Sequence, residues 1–402
     1  MGDATDRGPI GPEVLGLVAD DLTGAGDATV AFAEAGWHTE ILLGSSPNVS
    51  RPTGSAPSDS GPNSTSRRLY AITTEARHRN DDDAAELTGR AVHTLAQAGA
   101  ERLYVKVDST VRGSIAGQVR GALDAWTRSG ARASAVVCPA FPAHGRTVHE
   151  GEVLVSGTPV HRTAAGLDAV APVTSASLIS LLPGARRGGL DDVGRERVLV
   201  LDADSDPDLD DIAAAVARAS AATVAIGSGG LAAALARRWG TRDGDRASVA
   251  AGGSGVLVAV SSLHPVSAAQ LAHLASGLGE NDIVVTPGAS PHRSAQDAAA
   301  ALADTVRAAL ERHRFAALVL VGGDGAAATL ARLGTVSIVI DSQIVEGCPR
   351  GTLIGGAADG LTLVTKSGGF GDETTLTTIL TRLTPKLDRA DGGSATDQEE
   401  RS

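Results

Sequence analysis

Leu15-Gly16-Leu17-Val18-Ala19-Asp20-Asp21-Leu22-Thr23-Gly24-Ala25 is an apolar run that stops at two adjacent carboxylates and then turns through glycine. The run predicts a buried strand ending at Ala19, and the spacing after it predicts a helix from Gly24 to about Glu34. This layout sets Asp20, Asp21 and Thr23 at the carboxyl end of a strand, the edge where α/β sheets bind ligands. Amides at the helix start face the same spot and favour an anion. Carboxylates able to take a proton or hold a metal would therefore stand beside amides able to hold a negative ligand. The combination points to an enzyme acting on an anionic substrate rather than to a binding scaffold.

Strand, glycine turn and helix alternate on both sides of that stretch. Strand ends are expected near Ala19, Leu43, Ile72, Lys106, Cys138 and Ile226, then near Val260, Val285, Val321, Ile340 and Thr365. Such alternation implies an α/β fold of two domains, each a mainly parallel sheet flanked by helices, with the active site in the cleft between them. The break is expected at Thr241-Arg242-Asp243-Gly244-Asp245-Arg246 and the glycine-rich 250–255 stretch, giving domains over 13–240 and 250–385. Residues 1–12 and 386–402 read as disordered tails, and Gly44 to Ser66, rich in Ser, Pro, Gly and Asn, as a flexible insertion.

Composition narrows the function classes. Aromatics make up 2% of the 402 residues, so the cores must be built from Ala, Val, Leu and Ile. A net charge of −12 argues against a general nucleic-acid binder, which needs a basic face. No apolar run approaches the roughly 18–20 residues of a membrane span. Met1-Gly2-Asp3-Ala4-Thr5-Asp6 lacks the basic start and apolar stretch of a signal peptide, so a cytoplasmic protein is expected. Cys138 and Cys348, each beside a proline, read as small buried hydrophobes and are too few for a metal cluster.

Three further regions carry chemistry. In Lys106-Val107-Asp108-Ser109-Thr110-Val111-Arg112-Gly113, Lys106 and Asp108 project to one face of a strand end. Ser109 or Thr110 could cap a following helix, and Arg112 could grip a carboxylate or phosphate bidentately. Cys138-Pro139-Ala140-Phe141-Pro142-Ala143-His144-Gly145-Arg146-Thr147 is a stiffened loop from which Arg146 could point inward, while His144 reads as an ordinary loop residue. Thr74-Glu75-Ala76-Arg77 brings another guanidinium to a strand end. The second half holds three glycine- or serine-rich strand ends suited to phosphate: Val260-Ser261-Ser262, Val321-Gly322-Gly323-Asp324-Gly325, and Thr365-Lys366-Ser367-Gly368-Gly369-Phe370-Gly371. No Walker A sequence is present, and Gly227-Ser228-Gly229-Gly230 reads as a structural turn.

These segments, in this order and over most of 13–385, resemble the four-carbon acid sugar kinase family (DUF1537), which includes D-threonate, D-erythronate and 3-oxo-tetronate kinases. The motifs that carry the resemblance are Ala19 to Ala25, Lys106 to Gly113, Pro139-Ala140-Phe141-Pro142 with Gly145-Arg146, and Thr365 to Gly371. The resemblance implies an N-terminal acid-sugar-binding domain, a C-terminal ATP-binding domain, and phosphorylation of a sugar-acid hydroxyl. Substrate binding would fall to Asp20, Asp21, Arg77, Lys106, Asp108, Ser109, Arg112 and Arg146, and ATP binding to Ser262, Gly322, Gly323, Asp324, Gly325, Lys366, Gly368 and Gly369. Mg²⁺ would bridge the phosphates, through Asp324 or water. Asp21, and after it Asp108, is expected to activate the hydroxyl. The partners expected are a small sugar acid and ATP, without nucleic acid or membrane, and a homodimer stays open. Gly325 and Gln343 depart from the family's pattern. They leave open a same-fold kinase for another small hydroxy acid, or a non-catalytic sugar-acid sensor.

Overall fold

β1 (Val14–Ala19) is buried from Leu15 onward, and α1 (Leu22–Glu34) follows it at once. The helix begins ahead of Gly24 because Asp21 is its N-cap: the Asp21 backbone is extended, and its carboxylate accepts the Gly24 amide at 2.9 Å. The structure, a computed structural model, describes residues 11–43, 67–126, 132–168, 171–240, 253–275, 277–287 and 294–384. Nearly all of the expected tails, the 44–66 insertion and most of the expected break lie outside the described residues.

β2 (His38–Leu42), β3 (Arg68–Thr73), α2 (Asp81–Gln97), β4 (Arg102–Lys106), α3 (Ile115–Ala125) and β5 (Ser134–Cys138) continue the first half. The sequence reading has no strand between Cys138 and the one ending near Ile226. The structure has a small antiparallel sheet there, β6 (Arg146–His149), β7 (Glu152–Val155) and β8 (Thr158–Pro159). After it come α4 (Leu178–Leu181), β9 (Arg186–Arg187), β10 (Val198–Val200), α5 (Asp206–Arg218), β11 (Thr223–Gly227) and α6 (Gly229–Trp239). In the main sheet the order is β2-β3-β1-β4-β11-β5-β10-β9, all neighbours parallel. The chain leaves β1 toward one edge and returns to β4 on its other side. The carboxyl ends of β1 and β4 therefore flank a topological switch point, where such sheets open a crevice.

The second half runs β12 (Val256–Val260), α7 (Pro265–Leu274), β13 (Ile283–Val285), α8 (Ala295–Arg312), β14 (Ala317–Val321) and α9 (Gly323–Leu333). A hairpin of β15 (Ser337–Val345) and β16 (Cys348–Ile354) follows, then β17 (Thr362–Lys366) and α10 (Thr375–Leu383). Its order is β13-β12-β14-β17-β16-β15, with the first four parallel. The hairpin, antiparallel to its neighbours, replaces the simple strand end expected at Ile340.

The two mainly parallel sheets are not separate. β15 pairs antiparallel with β2, Ser337 to Ile340 against Leu42 to Thr39, so strand pairing passes through fourteen strands without a gap. Each half ends there in an edge strand whose backbone groups need a partner, and each satisfies the other. Side chains reinforce the join: Thr39 Oγ1 donates to the Ile340 carbonyl at 2.9 Å, and Ser337 Oγ to Glu40 Oε1 at 2.5 Å. The larger apolar core spans both halves, from Leu17 and Ile41 to Leu320 and Ile338, and is mainly aliphatic, as the composition requires. Cys138 and Cys348 are buried and unbridged. Among the described residues no helix is long and apolar enough to cross a membrane.

Candidate active site

Register brings the chemistry together. Ala19 stands level with Thr73 of β3 and Lys106 of β4, so Asp20-Asp21, Thr74 to Arg77 and Val107-Asp108 leave the sheet side by side. In the second half Val260, Val321 and Lys366 are level, which aligns Ser261-Ser262, Gly322-Gly323 and Ser367-Gly368. A small cavity of about 80 Å³ lies between the halves. Asp21, Thr23, Gly24 and Asp27 line it from α1, Arg77, Lys106, Asp108, Ser109 and Arg112 from the strand ends, and Ser367 from the second half. Phe141, Ser228 and Gly229 complete the wall.

Arg77 is the hub. Its Nε and Nη2 donate to Asp20 at 3.0 and 2.9 Å, and its Nη1 and Nη2 donate to Asp21, both at 2.8 Å. Asp20 is wholly buried and does not reach the cavity. Burial pushes its carboxyl up, with Arg77 working against the rise. Burial also works to raise Asp21, but Arg77, Lys106 and a hydrogen bond from Thr23 Oγ1 at 2.6 Å bring its carboxyl below the usual range. Asp108 accepts from Arg112 Nε and Nη2 at 3.0 and 2.9 Å, and from the Thr110 amide and hydroxyl. Despite its burial, Arg77 and Arg112 hold it well below the carboxylate range. In return the Asp108 hydrogen bonds keep Arg112 firmly charged, and Arg112 Nη1 also reaches Asp168 at 3.3 Å.

Asp27 differs from these. Its half-buried carboxylate has no hydrogen-bond or ion-pair partner among the described residues, and burial followed by the Asp21 and Asp108 charges pushes it up to about 7, against the pull of Lys106 and Arg77. At the cleft mouth Glu75 is also pushed up to about 7, by partial enclosure and by the carboxylates of Asp21, Asp324 and Asp20.

On the second-half side, the α9 N-terminus points across the cleft. A methyl group added to Gly323 would stop 3.9 Å from Asp21 Oδ2, with nothing nearer. Gly322 has φ 102°, and a Cβ there would lie 2.5 Å from Ser261 Oγ. Only glycine fits that backbone at such close approach. The starts of α1 and α6 line the cavity, and that of α9 lies close to Asp21 at its edge, a favourable setting for anions.

Several expectations need correction. Asp20 positions Arg77 and is not exposed to a ligand, because it is wholly buried and both of its oxygens accept from Arg77. Lys366 is also wholly buried, and its Nζ donates to the Ser367 carbonyl at 2.8 Å. Loss of hydration lowers that ammonium to about 8. Arg146 lies outside the cavity wall and donates to the His144 carbonyl. Ser109 and Thr110 cap no helix, since α3 starts only at Ile115 with Ser114 before it. Asp27, Phe141, Ser228 and Gly229 line the cavity without having been singled out as ligand-facing. His144 is no loose loop residue: its ring stands edge-on to Phe141 at 4.2 Å and to Phe370 of the second half at 5.2 Å.

The chain has clear relatives. A family model described as a sugar-binding N-terminal domain matches residues 15–190, and one described as a nucleotide-binding C-terminal domain matches 279–376. D-threonate kinase of Bordetella bronchiseptica is 35% identical over 91% of this chain and 96% of its own length. 3-oxo-tetronate kinase of Methylobacterium radiotolerans is 27% identical over 89% and 96%. A crystal structure from Salmonella typhimurium LT2 superposes with a TM-score of 0.73 at 21% identity, over 93% of this chain and 99% of that one, a likeness of fold.

Proposed function

This chain belongs to the four-carbon acid sugar kinase family, and from that premise we propose that it transfers a phosphoryl group from ATP to a hydroxyl of a four-carbon sugar acid, with D-threonate the first substrate to test. The observation that carries the reading is the cleft itself. Arg77, Lys106 and Arg112 converge in it from one half, facing Ser367 and the α9 N-terminus of the other. We assign residues 13–240 to acid binding and 250–385 to the nucleotide.

Phosphoryl transfer depends on positioning and on neutralising charge, and the residues divide that work. Arg112, whose side chain is 33% exposed, and Ser109 reach the cavity to meet the substrate carboxylate. Arg77 fixes Asp21 and keeps its own charge inside the cluster, and Lys106 balances the carboxylates around it. The tight Gly322 turn and the α9 amides fit phosphate oxygens, for which a side chain at Gly322 would leave no backbone approach. Asp324 and Glu75, whose carboxylates repel across the mouth, suit a hard cation held through oxygen. Mg²⁺ bound there would draw negative charge from the phosphates.

The purified chain, given ATP, Mg²⁺ and a panel of C4 to C6 sugar acids, should phosphorylate a C4 acid in preference to the longer ones. Nucleotide binding without turnover on any acid would identify a sensor instead. Two glycine variants test the nucleotide side. Gly322→Ala should lose about 1–3 kcal/mol of stability together with nucleotide affinity, because it forces a positive φ and a clash. Gly323→Val should melt near the wild-type temperature yet bind ATP at least tenfold more weakly by calorimetry, with sugar-acid binding intact. Equal loss of both ligands in a Gly323→Val chain that still melts near the wild-type temperature would overturn the assignment of the two halves.

A further inference from the structure

We propose that Asp27, rather than Asp21 or Asp108, takes the proton from the substrate hydroxyl as that oxygen attacks the transferred phosphoryl group. The proposal rests on the kinase reading and deepens it. Asp21 and Asp108 are poor proton acceptors because hydrogen bonds and guanidinium charge already stabilise their ionised forms. Both Asp21 oxygens accept from Arg77, with the Gly24 amide and Thr23 hydroxyl added. Asp108 accepts from Arg112 and Thr110. Asp27 reaches the same cavity with its oxygens unclaimed.

Its position also suits a transfer between the halves. α1 packs against β2 and β3 of the first half and against β15, β16 and α9 of the second, so a side chain on it can face both. Gly26, next to Asp27, comes so close to Pro349 of β16 that a Cβ there would lie 2.7 Å from the ring. The groups facing Asp27 are Lys106 from β4, Arg77 and Asp108 from the neighbouring strand ends, Asp21 from the helix start, and the Cys348 thiol from β16. Together they leave a carboxyl that is half ionised near neutral pH, where a general base works best.

The step balances. The hydroxyl proton passes to the Asp27 carboxylate, and the freed oxygen pair forms the new P–O bond. The bond from the phosphorus to the bridging oxygen of the nucleoside triphosphate breaks, its electron pair leaving with the nucleoside diphosphate. Asp27 then returns its proton to water.

Asp27→Asn keeps the size and removes the base. Its kcat on D-threonate should fall roughly 10²–10⁴-fold, while KM for the acid and for ATP stays within about threefold. Wild-type kcat should fall with unit slope below about pH 7, because only the ionised carboxylate accepts a proton. The residual activity of Asp27→Asn should lack that limb. Asp27→Glu moves the carboxylate by one methylene and should keep the limb at reduced kcat. It also serves if the Asn variant folds poorly, as judged by its melting curve. Asp27→Asn turning over within fivefold of wild type, or retaining the acidic limb, overturns the proposal. So does recovery of its kcat at high Mg²⁺, which would make Asp27 a cation ligand. A wild-type chain that phosphorylates no acid overturns the kinase reading and this proposal with it, whereas an active wild type beside an active Asn variant overturns the base alone.

Discussion

Replacing Arg77 by alanine should lower stability by roughly 3–5 kcal/mol and abolish turnover, the expected cost of removing one partner from a buried ion pair. Asp20 has no exposure and no other side-chain partner in its hydrogen bonds, so the substitution leaves a carboxylate in the core with nothing to offset its lost hydration. The pH dependence gives the signature. In the variant the Asp20 carboxyl would rise further above its ordinary value, and the native state would bind a proton that the unfolded chain does not. Stability is then present at pH values near the unfolded value and lost as pH rises through the folded one. Urea denaturation at pH 5 and pH 7.5 should therefore show the variant closer to wild type at the lower pH. An unchanged midpoint at pH 7.5 would mean that Asp20 finds another partner.

Lys106→Met should have a large effect on turnover while sparing the fold. Methionine fills the stem's volume, but the ammonium beside Asp21 and Asp27 disappears. Truncating a buried charged partner costs about 2–4 kcal/mol in binding, which corresponds to roughly 30- to 1,000-fold in kcat/KM. With the cation gone, the Asp27 carboxyl should rise above its wild-type value of about 7, moving the acidic limb of the rate profile to higher pH. A Lys106→Met enzyme with wild-type kcat/KM would remove Lys106 from the site.

The strand ends were the legible part of this molecule. Parallel strands deliver their carboxyl ends to one edge, so Asp21, Lys106, Asp108 and the Gly322 turn could be grouped from apolar runs and glycines alone. What a linear reading cannot supply is who pairs with whom. Asp20 and Asp21 are neighbours in sequence, yet Asp21 lines the cavity while Asp20 is sealed behind it, and only the fold of Arg77 over both decides this. Lys366 looks like a phosphate ligand until its strand is seen to be buried along its whole length. Asp27 escapes because a charged residue inside a helix reads as solvated. One signal was available: it lies four residues after Thr23, on the same face, and is the lone charged residue between Leu22 and Ala33. The segment from Arg146 to Val200 stayed opaque because its strands are two to four residues long, too short to show a period.

The antiparallel seam between β2 and β15 also has a consequence for biosynthesis. Leu42 and Ser337, which pair across it, lie 295 residues apart in sequence (337 − 42). At about 5–20 residues per second, β2 emerges from the ribosome roughly 15–60 s before its partner exists. Through that interval the first half must fold with an open sheet edge, a template for aggregation. The strand's own residues, His38 and Glu40 alternating with the inward Thr39 and Ile41, put a charge on the face that would meet a stranger. An edge exposed early in synthesis is then closed only when β15, far along the chain, has been made.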